Sequence, residues 1–261
     1  MAAGIDHIVI AVPDPDAAAD ELTAALGLAF TAGGRHEGAG TFNRVAFAGD
    51  AYLELIGVDD RQLAAGNAIG AAALRALEGG GGLATYALVD DRLEQSVASL
   101  RANGSSIGPA ERGSRRRPDG AEVVWWRAAF DILGPEDPPF LIRHDLTAAE
   151  WDPTARADRA GFVHPIGSPA RLVRLDIATP DPPSLAANYQ RELGLEVWSV
   201  GDLAVCTIGP HTIRLRPSAE MPVAAAVALA ADVEAPRSVT ALGMQFDVEP
   251  VEAAVLANPP H

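Results

Sequence analysis

The sequence contains no lysine; all twenty of its basic residues are arginine. That absence excludes Schiff-base, pyridoxal-phosphate and P-loop lysine mechanisms together. Cysteine occurs once, as Cys206, which rules out an internal disulfide and a cysteine-rich zinc site. Positive charge is short overall: 35 acidic residues leave a formal net charge of −15. So acidic a surface repels phosphate backbones, and nucleic acid is not an expected partner. The longest uncharged apolar-rich run, Met221 to Ala231, is too short to cross a bilayer. Asp6 stands where a signal peptide would need a basic start and an apolar run. A cytoplasmic protein without membrane association is expected. No Gly-x-Gly-x-x-Gly motif is present, so neither a nucleotide nor a flavin cofactor is indicated, and no Ser-His-Asp or Cys-His arrangement can be argued for a nucleophile. What the chain does have is length and apolar content, 261 residues and 48% hydrophobic, enough to bury a sizeable core.

It also has an internal repeat. Three segments share one skeleton, beginning at His7-Ile-Val-Ile-Ala-Val-Pro-Asp14, Ala84-Thr-Tyr-Ala-Leu-Val-Asp-Asp91 and Arg174-Leu-Asp-Ile-Ala-Thr-Pro-Asp181. In each, the Asp precedes a glycine (Gly27, Gly104, Gly194) by thirteen residues. A short apolar strand thus ends at an N-capping Asp, with Pro next in two copies. An amphipathic helix follows and closes at a glycine suited to a left-handed C-cap. Three strand-like stretches come after the glycine, at about 28–33, 41–48 and 51–58 in the first copy, with Gly49-Asp50 as the last turn. The fold class read from this is α+β: βαβββ units whose curled mixed sheets enclose a cup, with helices outside. Residues 1–145 form a pair of units (4–58 and 82–145, connector 59–81, a helix near 69–78). Residues 146–169 are a linker. Residues 170–261 hold a third unit and a tail with strand-like runs near 224–231 and 239–249, half of a degenerate fourth unit.

Opened by Asp6-His7-Ile8-Val9, this repeat resembles the vicinal oxygen chelate superfamily of glyoxalase-like, extradiol-dioxygenase-like and bleomycin-resistance-like proteins. The stretch from Gly33 to Asn43, followed by Tyr52-Leu53-Glu54-Leu55-Ile56, is similar to its glyoxalase-like branch. The resemblance implies a divalent metal (Zn, Ni, Mn or Fe) inside the cup, with His7 as first-strand ligand and Glu54 as last-strand ligand. It also implies lyase, isomerase or dioxygenase chemistry on a small oxygen-rich substrate, with Glu54 as ligand or catalytic base. The second unit departs from the pattern by placing Ala84 and Ile142 at the corresponding positions. His144, two residues beyond Ile142 and so on the same strand face, is the replacement ligand. The third unit puts Arg174 and Arg214 where the first has His7 and Glu54, which reads either as a carboxylate pocket or as an ion-pair cluster with Asp176.

Among the other residues, His36 and Asn43 lie in the glycine-rich loop, and Tyr52 and Trp126 are assigned to the cup as ligand contacts. Arg115-Arg116-Arg117 before Pro118-Asp119-Gly120 reads as a solvated hairpin tip. A metal-free small-molecule or drug-sequestering protein is the alternative to the enzyme, and cups filled by side chains are the third reading. A homodimer is left open. Residues 1–58 carry eight acids and two arginines, whereas 170–217 carry five of each. The first cup is therefore expected to prefer cations, and the third, if open, anions.

Overall fold

The structure, a computed structural model, describes residues 2–36, 38–117, 120–147, 150–218 and 225–252. Glu37, Pro118, Asp119 and Met221 to Ala224, each part of a feature named above, lie outside these residues.

The first unit runs β1 (Gly4–Ala11), α1 (Pro15–Leu26), β2 (Gly34–His36), β3 (Thr41–Ala48) and β4 (Ala51–Val58). Asp14 caps α1 by accepting hydrogen bonds from the Asp16 and Ala17 N–H groups at 2.9 and 3.2 Å, and Gly27 ends it at φ 72°. Leu22 and Leu26 are fully buried on its inner side. The expected strand at 28–33 is not formed. Gly33 turns left-handed there (φ 64°), and a Cβ on it would overlap the Asn43 carbonyl oxygen. Pairing therefore starts one residue later, at Gly34.

Two short helices, α2 (Arg61–Ala65) and α3 (Ala68–Glu78), lead into the second unit. It comprises β5 (Gly82–Val89), α4 (Leu93–Ala102), β6 (Glu111–Arg116), β7 (Glu122–Ala128) and β8 (Phe140–His144). Here the helix ends differ: α4 has no side-chain N-cap bond and closes at Asn103, one residue before Gly104. The connector contains α5 (Pro153–Ala160). The third unit is β9 (Ala170–Thr179), α6 (Pro182–Leu193), β10 (Trp198–Val200), β11 (Leu203–Ile208) and β12 (His211–Pro217), with Asp181 and Gly194 capping α6 as Asp14 and Gly27 cap α1. The tail adds β13 (Ala225–Ala231), β14 (Arg237–Ala241) and β15 (Met244–Pro250). The run near 239–249 is thus a hairpin, turned at Leu242-Gly243 with φ 51° and 72°.

The first eight strands close into a barrel in the order β1-β4-β3-β2-β6-β7-β8-β5. The remaining seven form an open sheet, β10-β11-β12-β9-β13-β15-β14. Both have the same centre. In each, the leading strand pairs parallel with the last strand of its unit and antiparallel with the leading strand of the next unit. The tail therefore supplies strands that correspond to β5, β7 and β8.

The two halves are joined by buried polar contacts. Tyr86 donates its hydroxyl to Tyr189 Oη at 2.7 Å. The Ile5 N–H donates to His211 Nδ1 at 3.0 Å, and the Ser106 N–H donates to Glu192 at 2.7 Å. No helix among the described residues is long and apolar enough to cross a membrane.

Candidate functional site

β1 is buried along its whole length, so an ionisable residue on it must find a partner inside the protein. His7 and Asp6 find each other. The antiparallel register of β1 with β5 runs from Ile5↔Leu88 to His7↔Ala87, leaving Asp6 as the extra residue of a β-bulge. A bulge re-aims side chains that would otherwise alternate. Asp6 Oδ1 here lies 2.6 Å from His7 Nδ1, and Asp6 Oδ2 lies 2.9 Å from His144 Nε2. Burial alone would raise the Asp6 pKa, but the imidazoles of His144 and His7 outweigh it and hold the carboxyl well below the usual range. An ionised carboxylate only accepts, so His7 Nδ1 and His144 Nε2 carry the protons.

The other ring nitrogen of His7 faces Glu54 on β4, with Nε2 3.5 Å from Oε2. Glu54 is 6% exposed and is held by the Asn43 amide, whose Nδ2 donates to Oε1 at 2.6 Å. Asn43 is oriented in turn by the Gly34 N–H, which donates to its Oδ1 at 2.9 Å. His36 completes the group, with Nε2 3.6 Å from Glu54 Oε1 and Nδ1 2.8 Å from Thr41 Oγ1. Burial pushes the His36 pKa down, against the opposing pull of Glu54. Tyr52 stacks on His7 with centroids 4.5 Å apart.

His7, His36, Thr41, Asn43, Tyr52 and Glu54 line a cavity of about 280 Å³ inside the barrel. Its opposite wall comes from the second unit and carries Arg112, Arg115, Trp125 and Arg127. The connector folds back over it: Trp151 stacks on His144 at 3.5 Å, and Glu150 accepts from Arg115 at 2.5 Å. Both Glu150 and Trp151 line the cavity.

Set against the sequence reading, His7, His36, Asn43, Tyr52 and Glu54 come together. Trp126 does not join them, because alternation along β7 turns Trp125 inward, 6.0 Å from His36. Trp126 instead lies under the Arg143 guanidinium at 4.2 Å. Arg115 is no solvated tip, since its side chain is 11% exposed and paired with Glu150. Across the sheet His7 pairs with Ala87, and Ala84 lies at a second bulge, between Thr85 and Leu83; neither side chain has a donor atom. Ile142 lines the cavity from β8, as Glu54 does from β4, and it has none either.

The expected preference for cations also needs correcting. Asp14, Asp16, Asp20, Glu21 and Asp50 of the first unit are on the surface, whereas the second unit turns three arginines into the cup. Arg115 and Arg127 were not singled out for the cup by the sequence, nor was Asp6 as the support of His7, and of the two neighbouring tryptophans the wrong one was chosen. Trp125 and Asp6 could have been found only from the strand register and the bulge.

Arg174 and Arg214 lie in the other sheet. β9 and β12 pair Arg174 with Thr212 as β1 and β4 pair His7 with Tyr52, so the two arginines do occupy the positions of His7 and Glu54. They do not form a carboxylate pocket. Asp176 accepts from Arg174 Nε at 2.8 Å, and it accepts from both Arg214 Nε and, at 3.0 Å, Arg214 Nη2. Glu249 accepts from Arg174 at 2.8 Å. The chain's own carboxylates fill the place of an anion.

A divalent metal is not fitted by these residues. Among the described residues no three His, Cys, Asp or Glu side chains form a group able to hold a metal ion. Ala84 and Ile142 have no donor atom, and Asn43 occupies one oxygen of Glu54. His144 gives its Nε2 to Asp6 and keeps a buried Nδ1 without a partner among the described residues.

The family model described as a glyoxalase-like domain matches residues 5–193. The chain belongs to the glyoxalase-like domain family. It thereby belongs to the vicinal oxygen chelate superfamily. A hypothetical protein from Staphylococcus aureus is similar in structure to this glyoxalase-like chain, with 15% identity, 95% of this chain and 99% of that chain covered, and a TM-score of 0.80. A triple mutant of 4-hydroxymandelate synthase from Streptomyces coelicolor shares 16% identity over 89% of this chain and 72% of that chain, with a TM-score of 0.52. Methylmalonyl-CoA epimerase from Streptomyces coelicolor shares 20% identity over 54% of this chain and 97% of its own, with a TM-score of 0.40. No curated protein matches the chain.

Proposed function

We propose that the barrel cup of this glyoxalase-like protein binds a small oxygen-rich organic molecule and that Glu54 moves a proton on it, in chemistry of the isomerase or lyase type. The observation that carries this is the pairing of Glu54 with His7. With Asp6 ionised and His7 Nδ1 holding its proton, His7 Nε2 and Glu54 Oε2 face each other at 3.5 Å with no fixed donor between them. Two acceptors so placed accommodate one proton, either as imidazolium or acid, or from a bound molecule. A carbon acid beside Glu54 would give its proton to the carboxylate and leave an enolate, and the protonated Glu54 would return the proton to carbon. Arginines on the facing wall favour the negative oxygen of the enolate. Tyr52 and Trp125 offer aromatic faces for the rest of the ligand. In this reading residues 1–145, with Glu150 and Trp151 of the connector, form the ligand-binding unit, and the third unit braces it.

Binding without turnover is the second reading. It is favoured by Ile142 and Ala84, apolar residues at positions where the resemblance implied metal ligands. One experiment separates the two. Pyruvate and phenylpyruvate are titrated against tryptophan fluorescence, since Trp125 and Trp151 line the cup, and loss of their C3 proton signals in D2O is followed by NMR. Saturable quenching with accelerated exchange that falls by about 100-fold or more in Glu54→Gln supports proton transfer. Saturable quenching with no exchange supports the binder. Neither signal with either compound overturns the reading of the cup as a ligand site.

A further inference from the structure

The cup has a side chamber. A second cavity, about 410 Å³, is lined by residues of α2 and α3, by Gly108 and Pro109, and by Glu111, Phe130 and Asp131. It shares three wall residues with the cup: Asn67, Ile69 and Arg127. Arg127 therefore stands at the boundary between the two spaces.

Its situation differs from that of the other arginines on the cup wall. Arg112 is paired with Glu122 at 3.1 Å, and Arg115 is paired with Glu150 at 2.5 Å. Arg127 has neither an ion pair nor a side-chain hydrogen bond among the described residues, although it is half-buried on β7. Burial lowers its pKa, with Glu111 and Glu54 pulling the other way from beyond ion-pair distance. A guanidinium withdrawn from water and left unpaired is costly, and its planar fork matches one group above others, a carboxylate taken bidentately. Glu54 on the cup side and Glu111 on the chamber side place negative charge near Arg127. That surrounding favours a singly charged, planar anion over a phosphate dianion.

We propose that Arg127 anchors the carboxylate of the ligand at the throat between cup and chamber, so that the protein selects small organic acids over their uncharged analogues. This rests on the reading of the cup as a ligand site and adds the class of ligand. The acid group lies at Arg127 and the reacting carbon faces Glu54.

The test compares 2-oxo acids from pyruvate to phenylpyruvate with their primary amides, each titrated by tryptophan fluorescence against wild-type protein, Arg127→Lys and Arg127→Met. Wild type is expected to bind each acid about 10-fold or more tightly than its amide, the usual scale of a charge-assisted hydrogen-bond pair. Arg127→Met should erase that preference by weakening the acids far more than the amides, and Arg127→Lys should keep part of it. If acid and amide bind wild type equally, this inference falls while the cup remains a ligand site. If Arg127→Met keeps the full preference, the anchor is elsewhere and the inference falls too. Saturation by none of the compounds overturns both. The wild-type comparison needs no variant, so poor folding of Arg127→Met would not shield the proposal.

Discussion

The barrel and the open sheet are two versions of one arrangement, and they differ in what fills the middle. β1 and β9 carry the same bulge at the same place, Asp6 in one and Val173 in the other, immediately before His7 and Arg174. In the barrel the bulged Asp6 ties two imidazoles, and the Glu54 carboxylate faces an open cavity. In the sheet the bulged residue is apolar, and the two arginines are bound by Asp176 and Glu249. The same backbone thus supports a site whose polar groups have capacity left for a ligand and one whose polar groups are already satisfied. Closure goes with the difference. β2 pairs with β6 to complete the barrel, whereas β10 lies at the edge of the open sheet.

The sharpest way to break the comparison is to remove the carboxylate that satisfies the sheet's arginines. Asp176→Ala leaves Arg174, whose side chain is 7% exposed, without one of its two carboxylate partners, and Arg214 without its one bonded partner among the described residues. It should cost about 3 kcal/mol of unfolding free energy, read from urea denaturation. Arg214 is 36% exposed, which keeps the figure at the lower end. A loss below about 1 kcal/mol would mean that the ion-pair cluster does not brace the sheet.

The seam between the halves gives a smaller effect, visible in pH. Burial pushes His211 down to about 4 from 6.5, with Asp50 and Asp6 pulling weakly upward. Above about pH 6.5 the ring is neutral folded and unfolded alike, and its contribution to stability is complete. As pH falls toward 4 the unfolded chain takes up the proton first, so stability is lost at up to about 1.4 kcal/mol per pH unit. His36 and His164, also held low by burial, act in the same direction. The expected observation is therefore a difference: His211→Asn, which keeps an acceptor for the Ile5 N–H but does not titrate, should flatten part of the slope of wild type between pH 6.5 and 4. Parallel slopes would remove His211 as the cause.

The smallest effect concerns the tyrosine pair across the same seam. Tyr86→Phe should cost about 1–2 kcal/mol by leaving the buried Tyr189 hydroxyl unpaired. Tyr86→Phe with Tyr189→Phe should recover part of that loss. A double variant less stable by the sum of the single ones would show that the two hydroxyls do not depend on each other.

Much of the fold was legible because caps leave marks in sequence. Asp14 and Gly27, or Asp181 and Gly194, bracket a helix at fixed spacing, and turns such as Gly49-Asp50 and Gly209-Pro210 set the register of the strands on either side. That is why Arg174 and Arg214 could be placed opposite His7 and Glu54 from sequence alone. What escaped depends on long-range geometry. The bulge at Asp6 breaks alternation in a strand that is apolar on both faces, so no pattern shows that Asp6 and His7 converge. A second bulge, at Ala84, shifts the register of β5 against β1 in the same way. Which of two neighbouring tryptophans turns inward, and which arginines of β6 and β7 enter the cup, follows from the parity of a hairpin whose turn residues carry little register information. The return of Glu150 and Trp151 over the cup belongs to a polar connector with no periodicity to read.

The central claim is that one cup works and the other holds the fold, and it is tested most directly by a single paired measurement on Glu54→Gln and Asp176→Ala. For each variant, stability is read from urea unfolding, and C3 proton exchange of phenylpyruvate is read at a temperature where the variant is folded. The account predicts that Glu54→Gln stays within about 1 kcal/mol of wild type, because the Gln carbonyl can still accept from Asn43, and that it loses exchange. It predicts that Asp176→Ala loses stability and keeps exchange. Glu54→Gln as destabilised as Asp176→Ala, with exchange intact, would contradict it.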